Sequence, residues 1–273
     1  MPEGDTVYRS AKNLNAALAG QLVTRFDLRV PAFATLDLTG NEIEGVVSRG
    51  KHLLMRVGAY SIHSHLKMEG SWHLYLPRTP WKRPAFEARA IIGTESWVAV
   101  GFALGTLDVV ARTDEQSVVG HLGPDLLGAD WDAGEAHRRL LANPESPAFV
   151  AVLDQRNLAG IGNEYANELL FLRGVHPATH ISDIADLDTM LATAYRLLHA
   201  NKNRAVRSTT GDLRAKRTSW VYGRAGEPCR RCGTRIDTGQ LGPTALIQRD
   251  AYWCRHCQPP PPERALQTAL PIR

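Results

Sequence analysis

All four cysteines of this 273-residue chain fall in two pairs, Cys229-Arg-Arg-Cys232 and Cys254-Arg-His-Cys257. Each Cys-x-x-Cys spacing suits a hairpin knuckle that offers two thiolates to one ion, and two knuckles complete a tetrahedral zinc site. The 21 residues between the pairs run just past the usual ~15–20, a difference that a longer hairpin accommodates. Two disulfides would need an oxidising compartment, and the amino terminus lacks the basic region and apolar stretch of a secretion signal. A redox role would use one such motif, not two in one short module. One structural Zn2+ on Cys229, Cys232, Cys254 and Cys257 is therefore expected. With four ligands spent and no cysteine left over, that site is closed and not catalytic.

Apolar residues make up 44% of the chain and charged residues 22%, the balance of a soluble globular protein. No apolar run approaches the ~20 residues needed to cross a bilayer. A cytoplasmic protein without a membrane partner follows, nucleoid-associated if bacterial. The net charge is only +4, but its distribution is uneven. Lys202, Arg204, Arg207, Arg214, Lys216, Arg217, Arg224, Arg230, Arg231 and Arg235 crowd one stretch against Asp212 and Glu227. Such a block is either a solvated face or the footprint of a polyanion.

The fold class reads as α+β. Val7, Ala11, Leu14 and Leu18 recur at helical spacing, with Asp5 or Thr6 as N-cap and Gly20 as the stop. From Gln21 to Arg112 short β-rich runs follow, separated by glycine, proline and asparagine, which predicts an antiparallel sandwich or barrel. Residues 1–112 thus form an N-terminal helix plus an antiparallel β-sandwich domain. Residues 113–147 are acidic and glycine-rich and read as an irregular linker. Residues 148–220 are helical, with stripes at Phe149, Val152 and Leu153, at Ala166, Leu169 and Leu170, and from Ile184 to Leu198. Residues 221–258 hold the zinc-binding β-hairpin. Residues 259–273, with their proline run, read as a disordered tail.

Two short stretches carry chemistry. The chain opens MPEGDTV, and removal of Met1 leaves a free secondary amine at Pro2 beside the Glu3 carboxylate. An α-amine titrates near ~8, so part of it is nucleophilic at neutral pH. Addition to a sugar aldehyde carbon would give an iminium that needs no further proton loss. The plainer reading makes Pro2 a processing signal and Glu3 a helix-start charge. Further on, Gly160-Ile-Gly-Asn163 opens directly into a helix, so backbone N–H groups can face an anion such as a DNA phosphate. An ordinary helical hairpin would use the same spacing.

Taken together, these pieces resemble the formamidopyrimidine-DNA glycosylase/endonuclease VIII (Fpg/Nei) family of base-excision repair enzymes. The resemblance runs from Met1 to about Gln258. It rests on MPEG, RGKHLL (49–54), HLKMEGSW (65–72), HLGPDLL (121–127), LDQRNLAGIGNEYANELLF (153–171), VYGRAGEPCRRCGT (221–234) and QRDAYWCRHCQ (248–258). It implies a helix–two-turns–helix element in the helical domain and a bifunctional DNA glycosylase/AP lyase (a hydrolase and lyase) that excises oxidised bases and cuts the strand by β,δ-elimination. By this resemblance Pro2 attacks C1′ of the damaged nucleotide and Glu3 assists as acid/base. Lys51 donates a proton and grips phosphate during β-elimination. Arg249 holds phosphate and assists δ-elimination. Asn163 grips phosphate, and His65, Lys67, Met68 and His121 contact DNA, with Met68 as the wedge that fills the gap left by a flipped base.

The opening MPEGDTV and the Arg249-Asp-Ala-Tyr252-Trp-Cys254 ending are closer to the endonuclease VIII branch, which implies oxidised pyrimidines. Beyond WVAVGFAL there is no arginine–phenylalanine pair of the kind purine-lesion enzymes insert opposite the damage; only Phe102 and Leu104 stand there. His121 replaces an arginine of that branch, and Lys67 replaces a polar residue. A purine-lesion glycosylase and a catalytically inactive damaged-DNA-binding protein are the alternatives. The expected partner is damaged double-stranded DNA, with single-stranded or bubble DNA as further candidates, bound by a monomer.

Overall fold

The apolar spacing near the amino terminus forms a helix, α1 (Gly4–Leu18), whose Val7, Ala11, Leu14 and Leu18 are all buried. The structure, a computed structural model, describes residues 2–261; Met1 and residues 262–273 lie outside the described residues, and with them most of the proline-rich tail. Helix α1 begins earlier than the sequence predicts. Glu3 is the N-cap, in extended conformation, and its carbonyl accepts the N–H groups of Thr6 and Val7, each at 3.0 Å. Thr6 Oγ1 donates to Asp5 Oδ1, so this pair sits inside the first turn instead of capping it. Gly20, at φ +78°, ends the helix as expected.

The chain divides between His121 and Leu122 into two compact units. In the first, two four-stranded antiparallel sheets face each other. One has the order β2-β3-β4-β8, from β2 (Ile43–Arg49), β3 (His52–Val57), β4 (Tyr60–His65) and β8 (Thr106–Ala111). The other has the order β1-β6-β7-β5, from β1 (Arg25–Leu28), β5 (Ser71–Tyr75), β6 (Ala88–Gly93) and β7 (Val98–Phe102). Strand alternation turns Leu53, Met55, Val57 and Ile62 into one core with Ala90, Ile92 and Ala99 of the second sheet and with the apolar stripe of α1. The opposite face of β2-β3-β4-β8 carries His52, Arg56, Ser61, His63, His65 and Asp108. A short helix, α2 (Gln116–Val119), follows β8, and Glu115 before it accepts from Arg56 Nε and Nη2, both at 2.8 Å.

The second unit is helical around Phe149, Val152, Tyr165, Ala166, Leu170, Met190 and Leu198. Its helices are α3 (Ala133–Leu141), α4 (Ala148–Leu153), α5 (Asn163–Arg173) and α6 (Leu187–Asn201). Helix α3 lies in the stretch read as irregular. Its evidence in sequence is thin, because only Ala136 and Leu140 point inward, although both are fully buried and Leu140 alone gains roughly 2 kcal/mol. Asp132 caps it, accepting from the Glu135 N–H at 3.0 Å. Ile184 falls outside α6, which starts where Asp186 accepts from the Thr189 N–H at 2.8 Å. The β9 (Asp237–Thr244) and β10 (Ile247–Trp253) hairpin adds Leu241 and Ala251 to the helical core. No helix among the described residues is long and apolar enough to cross a membrane.

Candidate active site

In the first unit, two bonds fix which ends of the elements coincide. The Gly20 N–H donates to Ile43 O at 2.8 Å, and the Val46 N–H donates to Asn15 Oδ1 at 2.8 Å. Moving back along α1 therefore moves forward along β2, so the two run antiparallel. From Asn15 to Pro2 the helix covers roughly 20 Å at ~1.5 Å per residue. From Val46 to Lys51 the strand and turn cover roughly 15 Å at ~3.3 Å per residue. Pro2, Glu3 and Lys51 thus gather at one end of the unit. Glu3 is completely buried and Pro2 half-buried.

Lys51 is presented by a two-residue hairpin turn, with Arg49 paired to His52. Gly50 precedes it at φ +56°, the conformation that a two-residue turn with glycine first demands. The same end carries the loop after β4. There Lys67 adopts φ +53° and packs where a side chain on Gly105 would stand, and its N–H donates to His65 Nδ1 at 2.9 Å. Met68 is 64% exposed and stands outside the core. Phe102 and Leu104, by contrast, are buried, and a three-residue turn joins β7 to β8.

His65 does not stand alone. His52 lies edge-on to it with ring centres 5.1 Å apart, and to His121 at 5.9 Å. Burial, helped by His63, His65, His121 and Lys67, pushes His52 down to about 3. Burial, helped by Lys67, Lys51 and His63, pushes His65 down to about 4. Both imidazoles are neutral at pH 7. His52, His63 and Asp108 belong to this face as well, and in the sequence it is the i, i+2 spacing of His63 and His65 that marks a shared face.

In the second unit Gly160, at φ +109°, turns the chain into α5, and its N–H is held by Gln155 Oε1 at 3.1 Å. Asn163 stands at the first position of α5 and donates from Nδ2 to Asp250 O at 3.1 Å. Asn167 donates to the same carbonyl and accepts the Tyr252 N–H at 2.6 Å. These bonds bring Asn163 next to Arg249, which is exposed on β10 and makes no side-chain hydrogen bond or ion pair among the described residues. The basic block is only partly available for a polyanion. Arg207 pairs with Glu164 at 2.7 Å and Arg224 with Glu227 at 2.9 Å, and both guanidinium groups are largely buried.

The sulfur atoms of Cys229, Cys232, Cys254 and Cys257 all lie within 4.8 Å of one another, with close pairs at 3.4, 3.6 and 4.0 Å. A tetrahedron with ~2.3 Å metal–sulfur bonds has edges of about 3.8 Å. The four thiols fit a metal ion.

Residues 1–103 match the formamidopyrimidine-DNA glycosylase N-terminal domain, and residues 122–210 match the formamidopyrimidine-DNA glycosylase H2TH domain. The chain belongs to the formamidopyrimidine-DNA glycosylase (Fpg/Nei) family. Within this family it is 50% identical over 268 residues to "Probable endonuclease 8 2" of Streptomyces coelicolor, covering 97% of this chain and 96% of that one. It is 47% identical over 258 residues to "DNA-(apurinic or apyrimidinic site) lyase Nei2" of Mycolicibacterium smegmatis, covering 94% and 99%. A formamidopyrimidine-DNA glycosylase of Methylococcus capsulatus is 29% identical over 279 residues, covering 94% and 100%. The solved Lactococcus lactis Fpg, in complex with abasic-site DNA, shares the Fpg fold at a TM-score of 0.77 and 23% identity, over 95% of this chain and all of that one.

Proposed function

We propose that this Fpg/Nei-family chain is a bifunctional DNA glycosylase and AP lyase that favours oxidised pyrimidines. The observation that carries this reading is the gathering of a secondary amine at Pro2, a buried carboxylate at Glu3 and a cation at Lys51 at one end of the β-sandwich. That set has a use in covalent catalysis and none in simple binding. With Met1 removed, the Pro2 nitrogen lone pair attacks C1′, the bond to the damaged base breaks, and its electron pair leaves with the base. Glu3, shielded from water, is placed to exchange a proton during this step. The C1′–O4′ bond then opens, the Pro2 nitrogen losing its proton and O4′ gaining one, which leaves the iminium. Water or a nearby base takes the C2′ proton, the C–H electron pair becomes the new C2′–C3′ double bond, and the 3′ phosphate leaves with the C3′–O pair. Lys51 holds that phosphate and donates a proton. Arg249, exposed and uncommitted, takes the second phosphate, with Asn163 beside it.

The damaged nucleotide must leave the stack to be reached, and exposed Met68 fills the gap. Lys67, His65 and His121 contact the backbone nearby. The preference for pyrimidines is supported by relatives named endonuclease 8 at 48–50% identity against 29% for a formamidopyrimidine-DNA glycosylase. It is supported also by the closed turn after β7. The four cysteines hold one Zn2+, which ties the hairpin carrying Arg249 into a fixed shape.

Borohydride trapping against a panel of lesion duplexes tests the reading. Pro2→Ala should lose the trapped adduct by at least ~100-fold while abasic-site duplex binding stays within about threefold. Arg249→Ala should lower the salt slope of binding by about one charge and reduce δ- relative to β-eliminated product. Trapping of Pro2→Ala at the wild-type rate would overturn the nucleophile. A stronger response to purine lesions would instead favour the purine branch.

A further inference from the structure

The loop after β4 is closed by its own backbone. The Gly70 N–H donates to Leu66 O at 2.9 Å, so residues 66–70 form one turn with Met68 at its middle. A side-chain carbon on Gly70 would collide with Leu66 O, so only glycine closes the turn this way. Leu66 is buried in the sandwich core, whereas Met68 projects from it. A tip with so few buried contacts is held still only by what grips the residues beside it.

Both neighbours of Met68 are gripped. On one side the Lys67 N–H donates to His65 Nδ1 at 2.9 Å, and the Lys67 side chain packs over Gly105, whose N–H donates to His65 O at 3.1 Å. On the other side Glu69 O accepts from Arg83 Nη1 at 3.1 Å, and the same nitrogen donates to Ser71 Oγ at 2.9 Å. Arg83 lies 14 residues beyond Glu69, in the connection between β5 and β6. Its Nε and Nη2 meet Glu87 Oε2 at 2.7 and 2.5 Å, and its guanidinium lies over the Phe102 ring, 5.5 Å from the centre. Glu87 O in turn accepts the Ala103 N–H at 2.8 Å. One planar group thus joins the Met68 turn, the first residue of β5, the short turn Ala85–Glu87 and the last residue of β7. With its charge met by Glu87, it serves as a bracket inside the protein and not as a phosphate ligand.

We propose that Arg83 is the positioning residue of the wedge: it fixes the carbonyl beside Met68, so that the methionine enters the base stack at one depth when the damaged nucleotide leaves. A methionine fills an irregular gap well but specifies its own position poorly, so the precision has to come from the loop that carries it. Without the Arg83 grip the wedge is present but loosely aimed, and extrusion of the nucleotide slows. Steps that need no extrusion keep their rate. Lysine is no substitute, because one compact ammonium cannot reach Glu69 O, Ser71 and Glu87 together as the guanidinium fork does. This inference rests on the reading that makes Met68 the wedge.

Single-turnover cleavage by the zinc-loaded full chain tests it, with one abasic-site strand presented both paired in a duplex and unpaired. The chemistry is the same in both, but only the duplex has a stack to open and fill. Arg83→Gln, which keeps a hydrogen-bonding side chain, and Arg83→Lys should each slow cleavage of the duplex by about tenfold. Cleavage of the unpaired strand should stay within about twofold of wild type. The fluorescence of 2-aminopurine placed beside the abasic site reports unstacking, and its rise should slow with duplex cleavage. Met68→Ala should slow the duplex reaction as well, and adding Arg83→Gln to it should cost less than about twofold more, because two changes acting on one step do not add. Equal slowing of both substrates, unchanged duplex cleavage in both Arg83 variants, or a double variant slowed by the full product of the single effects overturns the proposal and leaves the wedge standing. Met68→Ala at the wild-type duplex rate overturns the wedge reading and this proposal with it. Cleavage of neither substrate by wild type overturns the lyase reading, and both fall.

Discussion

Glu168 sits in the middle of α5, fully buried, where a charged residue is tolerated only if its oxygens are satisfied. Four donors converge on it. The N–H groups of Trp220, Val221 and Tyr222 reach it at 2.7, 2.8 and 2.9 Å, and the Thr209 hydroxyl completes the set. Burial pushes its carboxyl up from the ordinary range, and the four donors oppose that shift. One side chain thus ties both ends of the loop bearing Arg214, Lys216 and Arg217, a loop closed by the Thr209 N–H on Thr218 O at 2.9 Å. Glu168→Ala would leave these donors buried and unpaired, an expected cost of about 3–5 kcal/mol. Glu168→Gln keeps one accepting oxygen and should cost less. Denaturant unfolding with zinc present measures both, and a loss under ~1 kcal/mol for the alanine variant would mean the loop is held by other contacts.

At the scale of elements, the β9–β10 hairpin shows how a local motif acts at a distance. The four thiols pin its base, while Asn163 and Asn167 pin Asp250 beside Arg249. Neither anchor replaces the other, because the thiols fix the knuckles and the amides fix the strand against α5. Cys232→Ser should lower zinc content from one ion to none or a fraction and weaken abasic-duplex binding by ~10-fold or more. Metal analysis and fluorescence anisotropy check this, and full-strength binding by a zinc-free variant would separate the hairpin from DNA affinity. The cysteine knuckles, α1 and seven of the eight sandwich strands were legible because spacing in sequence is their cause. Strand β8 was not, since in Thr106–Ala111 the consecutive Val109, Val110 and Ala111 break the alternation of apolar and polar positions. Helix α3 buries too few apolar side chains to announce itself. Beyond the i, i+2 spacing of His63 and His65 the histidine row depends on cross-strand register, and Glu168 depends on loop residues 41 to 54 positions away, so local pattern reveals little of the first and nothing of the second.

At the scale of the molecule, the apolar side chains sort into cores that respect the division at His121. The α1 and sandwich residues form one cluster, and the α3–α6 residues with Leu241 and Ala251 form another. A third cluster joins Phe171 and Val221 directly to Cys229 and Cys254. Both units are of ordinary domain size, so each can hold a core of its own. The four clustered thiols all belong to the second unit, with Cys229 and Cys254 inside its apolar cluster, so a metal bound there would add its binding energy to that unit. Heating the full chain should therefore give two unfolding transitions, and a chelator should lower one by ~10 °C or more while moving the other little. Hydrogen exchange assigns them: with chelator, protection should fall in α5 and β9–β10 and persist in β2–β4. Cysteine thiolates gain protons once the metal leaves, so the chelator effect should also be larger at lower pH, where zinc is held less tightly. Equal loss of protection in β2–β4 and in α5 would show that the two cores unfold as one cooperative body, and the independence argued from their composition would be wrong.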